Sequence, residues 1–312
     1  MKNRSLHLQR EAVGCMGVNL VYACFFHLDD PDTFIKSLLD NIGSERIEID
    51  FIEFSGANTQ HIDNRIMSLK IVEEGLCPAS IFSPNGTVLH IADVLFGKDV
   101  LLLRGNFCPV TKIHLDMIGS SIEALKKKQI EPIIILEMTL KNLNSDEEKL
   151  FLDRIEALKA LGHPVLVSNF FLFNELKQYL EKYTNKSISM VIGGNLLPKI
   201  LQAKHYKNLD GGLLEGMGKL LNGNTHLFVY PYTGNSGKQA TLQTAKEDAN
   251  DTAILSYLEK TFSLIDIDCH NDLCRTIISE DVKHMIEQGK GGWEDMVPEN
   301  VAKVIIEKNL FK

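Results

Sequence analysis

"LLLRGNFCPVTKIHLDMI", residues 101–118, decides how this chain is read. An apolar run of the kind found in strands covered on both faces stops at Arg104-Gly105. A short loop with one proline follows, then Thr111 and His114, then apolar residues at helical spacing. A strand, a glycine loop and a helix in that order make one unit of a parallel α/β sheet. The loop of such a unit lies beyond the carboxyl end of its strand, where open sheets bind ligands. The helix that starts there presents free N–H groups and the positive end of its dipole, which together favour a phosphate. Gly105 lets the backbone come close to a ligand, and Thr111 and His114, one turn apart, project from one face. On spacing alone the plainer reading is favoured: a glycine ends a strand, a threonine caps a helix and a histidine packs on it.

Outward from this stretch, short apolar segments alternate with helical patterns. Strands are expected in "VNLVYACFF" (18–26), "RIEIDFIEF" (46–54), "DVLLLRG" (99–105), "EPIIILEM" (131–138), "HPVLVSN" (163–169), "SISMVIGG" (187–194) and "HLFVYPY" (226–232). "PASIFSPNGTVLHI" (78–91) carries a Pro-Asn-Gly turn and reads as a hairpin. Helices are expected at 30–43, 58–75, 111–128, 145–162, 174–184 and 196–202 and again in the tail, interrupted at "GKGGW". Ser145 and Glu148 form a capping-box pattern. Residues 233–252 are polar and read as a loop or a partly helical excursion. The expected fold class is α/β, a doubly wound parallel sheet with a smaller N-terminal α/β unit; the boundary is placed at Gly97, giving units 1–97 and 98–312.

The chain has 312 residues, 44% hydrophobic and 24% charged, with a net charge of −8. It carries no dense Lys/Arg block, so nucleic acid is not an expected partner. No apolar run reaches the roughly 20 residues that span a bilayer, and a cytoplasmic location is expected. The six cysteines are scattered and suggest no disulfide framework. "CHNDLC", with Cys269, His270 and Cys274, is short of a zinc ligand set and reads as reduced thiols near a loop. "GNSGK" (234–238) lacks the spacing of a phosphate loop, and Gln239 stands where Ser or Thr is needed. Glu137, at the end of its strand, could face the ligand or be a polar residue at the core edge.

"GNFCPVTKIH" resembles the signature of the HxGH-type nucleotidyltransferases, which include the mononucleotide and phosphopantetheine adenylyltransferases. Gly105, Phe107, Pro109, Thr111 and His114 fall in register with it, while Ile113 stands where that family has glycine. "SMVIGGNLLPKILQAKHYKNL" (189–209) is similar to the mononucleotide adenylyltransferase segment "FIIGADSL". Gly193 and Gly194 match its turn, and Asn195 replaces the aspartate that holds a ribose. The tail from Ile277 resembles the family's C-terminal signature, with Ser279 and Lys283 at its serine and basic positions and Glu280 departing from it. Residues 63–75 taken with 104–111 also resemble an uncharacterised bacterial branch.

The resemblance implies adenylyl transfer from ATP to a phosphorylated acceptor, nicotinate or nicotinamide mononucleotide first and a phosphopantetheine-type acceptor second. It implies catalytic roles for His114, Thr111 and Lys283 on the phosphates. Gly105, Asn106, Phe107, Lys112, Gly193, Gly194, Asn195 and Ser279 would line the nucleotide site. Mg²⁺ is expected to ride on the phosphates through waters, with no metal ligands from the protein. Ile113, Asn195 and Glu280 also fit a nucleotide-binding protein without activity, and self-association is left open.

Overall fold

The computed structural model describes residues 5–140, 148–233, 237–247 and 252–312. The first elements are α1 (Leu6–Phe26), α2 (Pro31–Ser37), α3 (Asn64–Glu73), β1 (Ala79–Phe82), β2 (Val88–Leu89) and α4 (Ile91–Leu95). Then come β3 (Val100–Arg104), α5 (Lys112–Lys126), β4 (Ile133–Thr139), α6 (Glu148–Lys159), β5 (Val165–Ser168) and α7 (Phe173–Leu180). The second half holds β6 (Ile188–Gly193), α8 (Leu197–Ile200), α9 (Gly212–Leu221), β7 (Thr225–Tyr230), α10 (Leu242–Glu247) and α11 (Thr252–Thr261). It ends with β8 (Ser263–Asp266), α12 (Ser279–Glu287) and α13 (Glu299–Lys308).

These strands form one sheet in the order β2-β1-β5-β4-β3-β6-β7-β8. From β5 to β8 every pairing is parallel, and the β1–β2 hairpin adds antiparallel to β5. The fold class is therefore α/β with a mostly parallel sheet. Counted from β3, the parallel strands stand in the doubly wound order, third-second-first and then fourth to sixth, with the reversal between β3 and β6. Alternation along β3 separates the two cores: Leu101 and Leu103 join α5, α6 and α13 on one face, and Val100 and Leu102 join α7 and α9 on the other.

Two expected strands are corrected. "VNLVYACFF" is the second half of α1. A short apolar run does not by itself tell strand from helix, and here Asn19 donates to the carbonyls of Leu38 (3.1 Å) and Asp40 (2.8 Å) from the helix surface. "RIEIDFIEF" joins no sheet. Its backbone is satisfied one-sidedly: Ile49 N–H donates to Leu76 O at 3.1 Å. At Phe54 the Asn64 side chain takes the place of a strand neighbour, accepting from its N–H at 2.7 Å and donating to its carbonyl at 3.0 Å. β8 was not anticipated. Ser145 of the capping-box pattern and residues 234–236 of "GNSGK" lie outside the described residues.

The hairpin at 79–89 precedes residue 97 and yet pairs with β5. Arg65 on α3 also reaches Glu156 on α6 at 2.5 Å. Burial would raise the Glu156 carboxyl, but hydrogen bonds from Lys308, Lys159 and Arg65 pull it down to about 2.

The carboxyl ends of β3, β4 and β5 are tied by one buried ion pair. Glu137 is fully buried. It accepts from Arg104 Nε at 2.5 Å and Nη2 at 3.2 Å, from Ser168 Oγ at 2.6 Å and from Thr139 Oγ1 at 3.1 Å. Arg104 also donates to the carbonyls of Phe170 and Phe171, both at 3.0 Å, and lies 4.6 Å from the Phe173 ring centroid. Glu137→Ala strands the guanidinium without its carboxylate and is expected to cost about 3–5 kcal/mol in urea unfolding. A loss below 1 kcal/mol would show that the pair holds nothing together.

Candidate nucleotide site at the switch point

The register Leu103↔Val191 between β3 and β6 sets Gly105 level with Gly193. The Gly105–Val110 loop and the Gly194–Asn195 turn therefore open side by side at the sheet reversal, the place where doubly wound sheets bind ligands. Gly105 N–H donates to Glu137 O at 3.0 Å, so the loop leaves the sheet from the buried ion pair. A Cβ on Gly105 would stand 2.8 Å from the Phe107 ring, which is fully buried beneath the loop with φ +47°. Phe107 is thus a floor for the loop.

Thr111 and His114 meet, but they face each other. His114 Nδ1 lies 3.0 Å from both the backbone nitrogen and Oγ1 of Thr111. A backbone N–H can only donate, so Nδ1 is the acceptor and the neutral ring carries its proton on Nε2. Burial pushes the imidazole down to about 4, which keeps it neutral. Thr111 is fully buried, so its hydroxyl serves His114 and the helix start. His114 is left as a neutral donor through Nε2, beside the Phe107 ring at 5.0 Å between centroids. Ile113 is buried in the core against this loop, and Lys112 stands half-buried at the first position of α5.

Across the reversal, Gly194 meets a passing chain. A Cβ there would lie 2.1 Å from Ala240 O and 2.9 Å from Thr241 N. Asn195 is exposed at the turn, and its Oδ1 would lie 2.6 Å from a Cβ on Gly193. Gly193 and Gly194 thus make room for neighbouring protein groups.

Ser279 and Lys283 sit on α12, whose Val282 and Ile286 pack in the same core as Ile113 and Met117. Lys283 pairs with Glu287 at 3.2 Å. The first turn of α12 carries Glu280 and Asp281, and their charge, after burial, raises the Tyr232 phenol just beyond β7. Ser279 and Lys283 thus share a face of the fold with α5, in an acidic surrounding.

A cavity of about 350 Å³ opens beside the loop. Arg104, Asn106 and Thr139 lie at its sheet end, Phe171 and Phe173 on one wall, and Leu196, Ile200, His205 and Tyr206 on the other. The Phe171 and His205 rings stand 5.2 Å apart, edge to face. Sequence reasoning missed this wall. "KHY" (204–206) was its only signal, and nothing in it shows that it returns to the end of β3. Also missed was Asp116, which accepts from Tyr230 OH at 2.5 Å and from His270 N–H at 3.1 Å. Among the described residues no cluster of His, Cys, Asp or Glu could hold a metal. Cys269 instead contacts Tyr230 OH and Asn271 O, both at 3.0 Å. Among the same residues no helix is long and apolar enough to cross a membrane.

No family model and no curated protein matches the chain. Among solved structures it is similar to the nicotinic acid mononucleotide adenylyltransferase of Plasmodium falciparum complexed with APC, at 15% identity and TM-score 0.39, covering 69% of this chain and 97% of that one. It is similar to a candidate nicotinate-nucleotide adenylyltransferase from Vibrio parahaemolyticus, at 15% identity and TM-score 0.33, covering 69% and 95%. It is also similar to Thermotoga maritima TmcAL bound with alpha-thio ATP, at 14% identity and TM-score 0.34, covering 68% and 56%.

Two outcomes follow from the geometry. The imidazole of His114 sits below its ordinary 6.5 in the folded chain. Its contribution to stability is therefore complete above about pH 6.5 and is lost as pH falls toward 4. Unfolding free energy measured across that window should drop, and His114→Gln should flatten the drop; an unchanged slope would contradict the assignment. Gly194→Ala should cost roughly 1–3 kcal/mol through the clash with Ala240, and full stability in thermal unfolding would show that the crossing gives way freely.

Proposed function

We propose that this chain transfers an adenylyl group from ATP to a phosphorylated acceptor, nicotinate or nicotinamide mononucleotide, giving a dinucleotide and pyrophosphate. The observation that carries this reading is the Thr111 N–H bond to His114 Nδ1, which fixes a neutral Nε2–H donor at the start of α5. The N-terminus of α5 adds a positive dipole end and, at Lys112 and Ile113, helix-start N–H groups ahead of the capped His114 N–H. A phosphate acceptor is already an anionic nucleophile, so the chain needs no general base. It must position the two substrates and stabilise the charge that builds on the phosphates as pyrophosphate leaves.

On this reading the roles divide by place. His114 Nε2–H and the first N–H groups of α5 hold ATP phosphates. Thr111 positions His114. Gly105 and Asn106 let the nucleotide approach the sheet end, and Asn195 reaches the ribose from its exposed turn. The neighbouring cavity, aromatic and aliphatic on its walls, takes the acceptor's ring, and its volume lies in the range of small-molecule sites. Lys283 and Ser279 supply the far end of the triphosphate once Lys283 leaves Glu287. Asp116 is held by Tyr230 and His270, so Mg²⁺ would be carried on the triphosphate through waters, where it neutralises phosphate charge.

A second reading has its own observation. Glu280 and Asp281 in the first turn of α12 repel a triphosphate, which suits a nucleotide-binding protein without turnover. Pyrophosphate release separates the two readings, measured with ATP and Mg²⁺ and with nicotinamide mononucleotide, nicotinate mononucleotide, phosphopantetheine or no acceptor. Release is expected with a mononucleotide, falling about 10²–10³-fold in His114→Ala. Release with phosphopantetheine alone would reassign the acceptor. ATP-induced stabilisation without release under any condition would establish the second reading.

A further inference from the structure

The N-terminal helix is apolar on sides that none of the described residues covers. One face of α1 is used: Ala12 and Ala23 are buried, Asn19 donates to the 38–40 turn, and Arg46 reaches Leu8 O and Glu11. The opposite face carries Val18 at 70% exposure and Phe25 at 81%, and Phe26, 69% exposed, ends the helix on the Asn19 side. Leu6, Leu8, Val13, Leu20, Val21 and Tyr22 are exposed as well. A helix apolar all round is normally a buried helix.

We propose that α1 is the seam of a homodimer, each α1 packing against the α1 of a second copy of this chain. Gly14, Val18, Val21 and Phe25 recur at alternating steps of four and three, the spacing of a helix-pairing seam, on the side away from Ala12, Asn19 and Ala23. Gly14 and Gly17 have open space where a Cβ would stand, so two helices can approach closely there. Along that seam Val18, Val21 and Phe25 stand 70%, 57% and 81% exposed, an apolar stripe of the kind that marks an association surface. Charge argues for a second copy over a lipid surface. A helix that lies on a membrane carries a Lys/Arg-rich face, whereas α1 has Arg10 and Glu11 as its charged pair and no basic face. The chain's net −8 opposes self-association elsewhere on its surface, and a nearly neutral helix is where two copies can meet.

Sedimentation equilibrium of the full chain tests this, with the protein near ~50 μM so that a micromolar dimer is populated. The wild type is expected at about twice the 35.0 kDa of one chain. Val18→Glu combined with Val21→Glu should halve that mass while the melting transition stays in place. Phe25→Ser, a single change at the most exposed of these positions, should weaken the dimer at least tenfold and carries the test if the double variant misfolds. A wild type at single-chain mass overturns the proposal, and so does a dimer that both variants leave intact. Single-chain protein that co-floats with phosphatidylcholine vesicles also overturns it and assigns the face to lipid.

Discussion

A carboxylate with no solvent at all has to find its partners in the protein, and Glu137 finds them at the ends of three strands. Its demand for hydrogen bonds sets Arg104, Thr139 and Ser168 around one point. Arg104 then uses its remaining donors on the carbonyls of Phe170 and Phe171 and its flat face on Phe173, which places one wall of the cavity. Gly105 leaves the sheet hydrogen-bonded to Glu137 O, which places the loop. The carboxyl end of β3 is therefore positioned by a charge pair whose Arg104 also lines the neighbouring cavity.

The second constraint is the start of α5. A helix leaves its first N–H groups without partners, and His114 folds back to satisfy the one at Thr111. That local need settles which ring nitrogen holds the proton, and so turns a titratable side chain into a fixed neutral donor. Burial reinforces it by holding the imidazole near 4. Capping the helix and fixing the Nε2 proton are here one arrangement. Gly194 does the matching work across the reversal, where the absence of a Cβ lets residues 240–241 cross the turn.

Much of the architecture was legible because its signals are local. The runs at 100–104, 133–139 and 188–193 are apolar enough to be strands covered on both faces, and the Pro-Asn-Gly turn marks a hairpin by its own chemistry. The turn from Arg104 into α5 could be read as strand, glycine loop and helix. What failed was long-range. "VNLVYACFF" is β-like in composition, yet it continues α1 to Phe26, where the His27 N–H closes the last turn on Ala23 O, and Asn19 ties the helix to the 38–40 turn. The 46–54 segment alternates like a strand but finds the Asn64 side chain instead of a neighbour. The Arg104–Glu137 pair joins residues 33 apart, and its wall of Phe171 and His205 joins two more segments. The pairing of Thr111 with His114 was visible as spacing, but its direction, towards each other, depends on burial.

On the proposed function, the nucleotide's phosphates meet His114 Nε2 at the α5 start, in the opening between β3 and β6. A crystal structure with a non-hydrolysable ATP analogue tests it most directly. Phosphate oxygens are expected within hydrogen-bond reach of Nε2 and of the first N–H groups of α5, with Nδ1 still bonded to Thr111. Phosphates bound elsewhere on the chain, or an imidazole that has released Thr111 to reach them through Nδ1, would contradict it.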